Sequence, residues 1–283
     1  MTTTAPSQPT TDVVLVTGAA SGIGRATALA FAARGAQLVV CDVDRAGLES
    51  LAAELGPRCL MTRVVDVADR AAMKALADEV HALVPALDVL VNNAGVAVHG
   101  GILDTSLDDW DWLLGINLRG VIHGCHFFVP PMVARGRGHV VNVSSTYGFV
   151  GGTGVLAYVT SKFGVFGLSE SLRAELRDKG VGVSTICPGM IKTNIVRRAR
   201  FLDHVGREES QAHAVRLFDR RGAPPERVAQ AIVRAVEHRR DVVPVAAEAW
   251  ILYGLKRVAP RLTSRLVALL DSGRARQALA GKK

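Results

Sequence analysis

DVVLVTGAASGIGRATALAFAARG, residues 12–35, is the stretch that decides the fold. It begins with a short apolar run, passes through a turn containing Gly18, Gly22 and Gly24, and continues with apolar residues at helical spacing. Glycine in such a turn lets the backbone approach a pyrophosphate, and the start of the following helix supplies N–H groups and a positive dipole. The spacing is not that of the GxGxxG fingerprint, so taken alone the three glycines are equally well explained as an ordinary loop.

Short apolar runs alternate with helix-patterned stretches along the rest of the chain. Such runs, bounded by glycine and aspartate, are typical of strands buried on both faces, and the alternation indicates βαβ units with right-handed crossovers. We predict an α/β fold: a Rossmann-type, doubly wound parallel sheet of about seven strands with helices on both faces. The predicted strands lie at 12–18, 37–42, 59–67, 87–95, 138–145, 180–189 and 241–246, and two long helices at about 108–135 and 157–179.

We expect a single catalytic domain over residues 12–246, in which no linker or internal repeat interrupts the pattern. Residues 1–11 are polar and are predicted to be a disordered leader, since they lack the basic and apolar regions of an export signal. Residues 247–283 form a C-terminal extension that mixes apolar and basic residues. It is predicted to be helical, and it either packs over the pocket, contacts another subunit or lies on a membrane surface.

Composition and charge argue against several classes of protein. The apolar runs are too short to cross a bilayer. The net charge of +8 comes from basic residues that thicken only toward the C-terminus, with few aromatic residues between them, so a specific nucleic-acid role is not expected. The four cysteines are isolated, which predicts reduced thiols in the cytoplasm. The eight histidines show no ligand spacing, and no metal is predicted.

Asp42 ends the second predicted strand and is a candidate for cofactor recognition. A carboxylate in this position can accept hydrogen bonds from both ribose hydroxyls of an adenosine, and it repels a 2′-phosphate. The alternative is a residue of a simple turn, since DVDR, residues 42–45, also has the composition of a turn.

AYVTSKFG, residues 157–164, places Tyr158 four residues before Lys162 on a predicted helix. Taken alone, such a pair is most often a chance feature of an amphipathic helix. With TGAASGIG at 17–24 and NNAG at 92–95, however, the sequence resembles the short-chain dehydrogenase/reductase family. The resemblance runs from about Val13 to Val245 and includes VVDVAD at 64–69, NLRG at 117–120, VVNVSS at 140–145 and CPGMIKT at 187–193.

The resemblance implies an enzyme that moves a hydride between a nicotinamide and an alcohol or carbonyl carbon. Tyr158 would be the acid/base, and Lys162 would lower the pKa of the tyrosine and hold the nicotinamide ribose. Ser145, 13 residues upstream of the tyrosine, would hydrogen-bond the substrate oxygen. Asn117 would help to hold a water that relays protons, and Ser144 would have a structural role.

The same resemblance implies where the cofactor lies. Asn93, Ala94 and Gly95 would run under the adenosine ribose, Asp66 and Val67 beside the adenine, and Pro188, Gly189, Ile191 and Thr193 over the nicotinamide. The full predicted cofactor set is Gly18, Ser21, Gly22, Ile23, Gly24, Asp42, Asp66, Val67, Asn93, Ala94, Gly95, Tyr158, Lys162, Pro188, Gly189, Ile191 and Thr193.

NAD is expected rather than NADP. The resemblance supports this, because NADP-using relatives often carry a basic residue before the second glycine of the turn, where this chain has Ser21. Arg45 and the more distant Arg25 are the residues that could reach a 2′-phosphate instead.

Substrate identity should depend on residues 96–100 and 146–156 and on a substrate lid at 190–224. Their apolar content favours a small-molecule ketone or secondary alcohol with an apolar body, such as a steroid, a terpenoid or an aliphatic compound. The arginines of the lid leave an alternative open, an NADP-dependent ketoreductase for acyl or CoA-type substrates. A homodimer or homotetramer is expected. The predicted substrate contacts are Ser145, Tyr147, Phe149, Leu156, Tyr158 and Met190.

Overall fold

The structure is a computed structural model that describes residues 12–202 and 207–267. The predicted leader and the end of the C-terminal extension lie outside these residues. The strands are β1 (Val13–Thr17), β2 (Gln37–Asp42), β3 (Cys59–Val64), β4 (Val89–Asn92), β5 (Val98–His99), β6 (Gly138–Val143), β7 (Val181–Pro188), β8 (Arg200–Phe201) and β9 (Val242–Val245). The helices are α1 (Gly22–Ala32), α2 (Arg45–Leu55), α3 (Arg70–Leu83), α4 (Leu107–Leu114), α5 (Gly120–Arg135), α6 (Leu156–Leu176), α7 (Arg207–Arg221), α8 (Pro225–Glu237) and α9 (Ala247–Val258).

Seven strands form one parallel sheet in the order β3-β2-β1-β4-β6-β7-β9. The chain builds outward from β1 toward β3, then returns to the other side of β1 at β4 and builds outward again. This confirms the predicted doubly wound Rossmann-type sheet. The point where the order reverses lies between β1 and β4, and in open α/β sheets the crevice outside the carboxyl ends of the strands at such a point binds the ligand.

Helices cover both faces of the sheet, and alternate residues of each strand enter different cores. Val14 and Val16 of β1 pack with α1, α2 and α8, whereas Leu15 packs with α3, α5 and α6. Successive side chains of a strand point to opposite faces, so a strand covered on both sides is apolar throughout. This explains the uninterrupted apolar runs of the sequence.

A turn of π-helix at Gly115–Arg119 interrupts the long helix predicted at 108–135 and separates α4 from α5. The wide turn carries Asn117, whose side chain is fully buried. Asn117 bonds the Val96 backbone through both its amide nitrogen and its carbonyl oxygen. Single π turns inside helices often occur at functional sites.

A second sheet, which the sequence analysis did not predict, joins β5 to β8. Each strand has only two residues, Val98 and His99 opposite Arg200 and Phe201, too few to produce a recognisable pattern. This small sheet fixes the first part of the predicted lid beside the segment that follows β4.

Candidate active site

Tyr158 and Ser145 meet at the carboxyl edge of the sheet. Tyr158 lies in the first turn of α6, and Ser145 follows β6, so helix and strand bring the two hydroxyl groups together. Burial raises the pKa of Tyr158 to about 12, and the hydrogen bond with Ser145 acts in the opposite direction. Tyr147 packs its ring edge-on against that of Tyr158, with centroids 6.2 Å apart.

Lys162 lies one turn further along α6 and is buried. Its Nζ donates to the Val143 carbonyl at 3.0 Å and lies 5.7 Å from the centre of the Tyr158 ring. In the protein alone, burial is the largest influence on Tyr158 and raises its pKa. The expectation that Lys162 lowers the pKa of the tyrosine stays a prediction.

Burial also lowers the pKa of Lys162 from its ordinary value of 10.5 to about 8, which gives a testable stability effect. Between these two pH values the unfolded chain binds a proton that the folded chain does not, so stability rises with pH. We expect the free energy of unfolding of the wild type, minus that of Lys162→Met, to increase by about 3 kcal/mol over this range. Denaturant unfolding at several pH values measures the difference. Lys179→Met, which removes an exposed lysine, is the matched control, and a constant difference for Lys162→Met would contradict the lowered pKa of the buried lysine.

Asn117 completes the group of predicted catalytic residues from its π turn. Besides its two bonds to Val96, its Nδ2 donates to Ser161 Oγ at 3.1 Å, and Ser161 Oγ donates to the Tyr158 carbonyl at 2.7 Å. Asn117 therefore ties the turn after β4 to the first turns of α6. Sequence reasoning missed Ser161, which lies between the tyrosine and the lysine. Small residues are common on the buried face of a helix, so its identity gave no signal.

The glycine turn between β1 and α1 has the shape that a pyrophosphate requires. Gly18 and Gly22 have φ values of +65° and +54°, which side chains rarely adopt. A Cβ on Gly24 would come within 2.1 Å of the Gly18 carbonyl oxygen. The side chain of Ser21, the N-cap of α1, makes no capping hydrogen bond, so the first N–H groups of the helix are not capped by it. These residues fit a dinucleotide, with Ile23 in the first turn of the helix.

Asp42 lies beside this turn at the end of β2. Its Oδ2 accepts from the Ala20 amide at 2.9 Å, and its Oδ1 accepts from the Asp44 amide at 3.0 Å. The carboxylate therefore holds both the glycine turn and the loop after β2, and each oxygen keeps a further lone pair for a ribose hydroxyl.

Asn93, predicted to run under the adenosine ribose, supports the glycine turn through its side chain. Its Nδ2 donates to the carbonyls of Thr17 and Gly18, so its side chain supports the glycine turn. The Thr17 hydroxyl accepts from the amides of Asn93 and Ala94. Thr17 thus joins β1 to the turn after β4, a role that sequence reasoning missed because threonine is ordinary at a strand end. Gly95 follows, and a Cβ there would lie 3.5 Å from Lys162 Nζ.

Asp66 and Val67, predicted beside the adenine, lie after β3. Asp66 Oδ1 accepts from the Ala68 amide at 2.9 Å, which makes a local turn. The Val67 carbonyl lies 2.9 Å from His123 Nδ1 on α5, and the Val67 side chain is buried. Both residues are thus fixed at the carboxyl edge of the sheet, just after β3.

Pro188 to Thr193 leave β7 and cross toward the glycine turn. The Thr193 side chain lies against Gly22, where a Cβ would be 3.2 Å from its methyl group, and Ile191 is buried. Glu248 of α9 accepts from the Met190 amide at 3.3 Å and lies beside Gly189. The segment 188–193, predicted to cover the nicotinamide, therefore contacts the glycine turn at one end and the C-terminal extension at the other.

The predicted substrate contacts do not all share one place. Tyr147 lies against Tyr158, and Leu156, which starts α6, is partly exposed. Phe149, in contrast, is buried with its ring against Phe166 and Tyr253. The structure corrects that prediction, since Phe149 packs the 146–149 turn against the C-terminal extension.

The lid is held to the body by ion pairs that sequence spacing could not reveal. Arg198 contacts Asp44, the N-cap of α2, at 3.3 Å. Arg200 contacts Asp109 of α4 at 2.8 Å and stacks over Trp112, 3.6 Å from the ring centre. The Gly47 amide and then Arg198 lower the pKa of Asp44, and the Ser106 hydroxyl and then Arg200 lower the pKa of Asp109.

Residues 12–202 and 207–267 contain neither a metal-ligand cluster nor a membrane-spanning helix. In that part of the chain, no three histidine, cysteine, aspartate or glutamate side chains are grouped as a metal ion would need. No helix there is both long enough and apolar enough to span a bilayer. All four cysteines are free thiols, and Cys41, Cys125 and Cys187 are buried.

Comparison with known proteins identifies similar sequences. The chain is 44% identical over 264 residues to a probable oxidoreductase, EphD, of Mycobacterium tuberculosis, with 90% of this chain and 45% of that protein covered. It therefore spans less than half the length of that relative. It is 40% identical over 236 residues to a C alpha-dehydrogenase of a Sphingobium species, with 80% of this chain and 77% of the relative covered.

A solved structure with the same fold is a short chain dehydrogenase/reductase from Burkholderia phymatum in complex with NAD. It matches 89% of this chain and 95% of its own with a TM-score of 0.79 and 32% identity. A sequence profile described as short chain dehydrogenase matches residues 12–201, which is more than half of the chain. By sheet order, site geometry and sequence, the chain belongs to the short-chain dehydrogenase/reductase family.

Proposed function

We propose that the protein is an NAD-dependent oxidoreductase that interconverts a secondary alcohol and a ketone with a largely apolar body. The observation that carries the proposal is the hydrogen-bonded pair of Ser145 and Tyr158, with buried Lys162 one helical turn away. A buried hydroxyl pair at the switch-point edge, next to a glycine turn fit for a pyrophosphate, suits proton transfer to an oxygen beside a dinucleotide.

Each of these side chains has a distinct task in the proposed reaction. Tyr158 gives its proton to the carbonyl oxygen during reduction and takes it back during oxidation, while Ser145 hydrogen-bonds the same oxygen where charge develops. Lys162 would hold the ribose of the cofactor, and Asn117 orients the first turns of α6. The nicotinamide, when bound, supplies or accepts the hydride.

The comparisons support this proposal in two ways. The Sphingobium relative is named a dehydrogenase, and the Burkholderia structure contains NAD. The alternative of an acidic or CoA-type substrate rested on the arginines of the lid. Three of them, Arg197, Arg198 and Arg200, are paired with Asp219, Asp44 and Asp109, which leaves them less available to an anion. The homo-oligomer and the cytoplasmic location stay predictions.

A substrate panel tests the function. Secondary alcohols and ketones of graded size and polarity, with an acyl-CoA ketone as the alternative, are assayed with NAD(H) and NADP(H) by the absorbance of the reduced nicotinamide. We expect turnover with apolar substrates and NAD(H), and a rate at least about 10² lower with Tyr158→Phe at the same protein concentration. Activity restricted to the CoA compound with NADPH would replace this proposal by the alternative.

Ser145→Ala gives a pH-dependent test of the proton transfer. The hydrogen bond from Ser145 lowers the pKa of Tyr158, so its loss should raise that pKa further. We expect the rate of alcohol oxidation, which needs the deprotonated tyrosine, to rise at higher pH in the variant than in the wild type. The pH profile of kcat measures the shift, and Ser144→Ala is the matched control. Superimposable profiles of wild type and Ser145→Ala would contradict the coupling of the two hydroxyls.

A further inference from the structure

The C-terminal extension presents apolar side chains to solvent. Val258 is 86% exposed, Ile251 67% and Leu262 57%, and Trp250 and Leu266 are also exposed. Isolated exposed apolar residues are common on protein surfaces, whereas a set confined to one short segment marks an interaction site. We call these five residues the apolar ridge.

The ridge is firmly held to the body of the protein. Ala249 and Thr263 on the inner side of the same segment are buried. Tyr253 packs against Phe149, and Val267 joins the same cluster. One face of the extension therefore packs against the rest of the protein, and the apolar ridge lies on the opposite, solvent-exposed face of a well-packed segment.

Basic side chains accompany the ridge. Residues 260–267 are helical, and Leu262 and Leu266 form a row beside a row of Arg261 and Arg265, both with the i, i+4 spacing of one helix face. Residues 247–267 contain one acidic residue, Glu248, and four basic residues, which gives a net charge of +3. The basic residues are Lys256, Arg257, Arg261 and Arg265.

A basic groove borders the ridge between α6 and α9. Its volume is about 630 Å³, and Trp250 and Arg257 belong both to it and to the extension. Four arginines, two carboxylates and two aromatic rings line it: Arg173, Arg239, Arg240, Arg257, Glu170, Asp241, Trp250 and Tyr253. Arg173 pairs with Asp241 at 3.4 Å and Arg257 lies 4.0 Å from Glu170, so the net positive charge of the groove comes from Arg239 and Arg240. Arg257 lies over the Tyr253 ring at 5.2 Å. A groove of this size can accept a small anionic head group.

We propose that the ridge and the groove together dock the protein on the surface of an anionic phospholipid bilayer. Apolar side chains with a tryptophan enter the boundary between head groups and acyl chains, while arginines contact phosphates. The charge favours this partner over a second copy of the chain. A two-fold contact centred on the extension would bring two patches of the same net charge, +3 each, against one another, which opposes the association of two copies.

Vesicle co-sedimentation of the full chain tests the proposal. The probes are vesicles of phosphatidylcholine alone and of phosphatidylcholine mixed with phosphatidylglycerol. We expect binding to the mixed vesicles, little binding to phosphatidylcholine alone, and loss of most binding between about 0.1 M and about 1 M salt. Arg261→Ala should weaken the partition coefficient about fivefold. Equal binding to both vesicle types, or no binding to the mixed vesicles at low salt, would overturn the proposal.

Val258→Glu tests the apolar part, and we expect at least about tenfold weaker binding to mixed vesicles. Leu83→Glu is the matched control, since Leu83 is an exposed apolar residue at the end of α3 and the change of charge is the same. Thermal unfolding by circular dichroism establishes that both variants fold. Equal loss of binding in the two variants would overturn the proposal. So would a smaller molecular mass in solution for Val258→Glu without any effect on vesicles, which would identify the ridge as a contact between copies.

Discussion

Tyr158→Phe is expected to lower kcat by a factor of about 10² to 10⁴, the usual contribution of a positioned acid or base. The substitution removes only the hydroxyl that hydrogen-bonds Ser145 and keeps the buried ring that packs against Tyr147. The fold and the affinity for NAD should therefore be unchanged. Steady-state kinetics with a substrate from the panel measures the loss, and quenching of protein fluorescence measures cofactor affinity.

A second tyrosine supplies the control for this variant. Tyr253 lies on α9 against Phe149, away from the Ser145 hydroxyl, so Tyr253→Phe removes the same atom from outside the catalytic group. Its kcat should stay within about twofold of the wild type, since it makes no contact with the reacting oxygen. If Tyr158→Phe kept a comparable rate, the proton would have to come from another group, and the proposed mechanism would be wrong.

The sheet was predictable because burial on both faces leaves an unambiguous pattern. Runs such as VVLV in β1 and QLVVC in β2 have the length of strands and no polar face, and glycine or aspartate ends them. The sheet of β5 and β8 was not predictable, because two residues cannot establish a period. The π turn at Gly115–Arg119 was also missed, since an apolar periodicity tolerates one extra residue without an evident break.

Site residues could be predicted where they form an unusual motif. They could not be predicted where the residue type is common in that kind of strand or helix. The glycine turn after the first strand is a weak signal by itself, and so is the tyrosine four residues before a lysine with a serine upstream. Together they indicate the family. Thr17 and Ser161 are small polar residues that many strands and helices contain, and their importance comes from contacts with distant residues. The raised pKa of Tyr158 likewise depends on burial by the whole fold.

Phe149 illustrates the same limit from the opposite side. The apolar segment around it predicted a substrate contact, but Tyr253 of the C-terminal extension packs against it. A local pattern cannot show which distant segment returns to pack against it.

The largest expected change in specificity is at Asp42, where substitution should remove the preference for NAD. The carboxylate lies between the glycine turn and the loop after β2, accepting from the amides of Ala20 and Asp44. Each hydrogen bond that it accepts from a ribose hydroxyl contributes roughly 1.5–3 kcal/mol. With NADP one of these bonds is lost and a phosphate faces a carboxylate. We expect the wild type to prefer NAD at least tenfold in kcat/KM, about 1.4 kcal/mol.

Asp42→Asn is the more informative variant, because it removes the charge and keeps one oxygen as an acceptor for the Ala20 amide. The glycine turn therefore retains its support, while the hydrogen bond from the Asp44 amide is lost. Its preference for NAD should fall to near unity or reverse, whereas Asp42→Ala should also weaken the use of both cofactors by loosening the turn.

Of the two competing arginines, Arg25 is paired with Glu54 at 2.6 Å, which leaves Arg45 as the stronger candidate for a 2′-phosphate. Arg45→Ala in the Asp42→Asn background should therefore reduce the use of NADP and leave that of NAD unchanged. Equal use of both cofactors by the wild type would mean that Arg45 outweighs Asp42 and that the predicted preference is wrong.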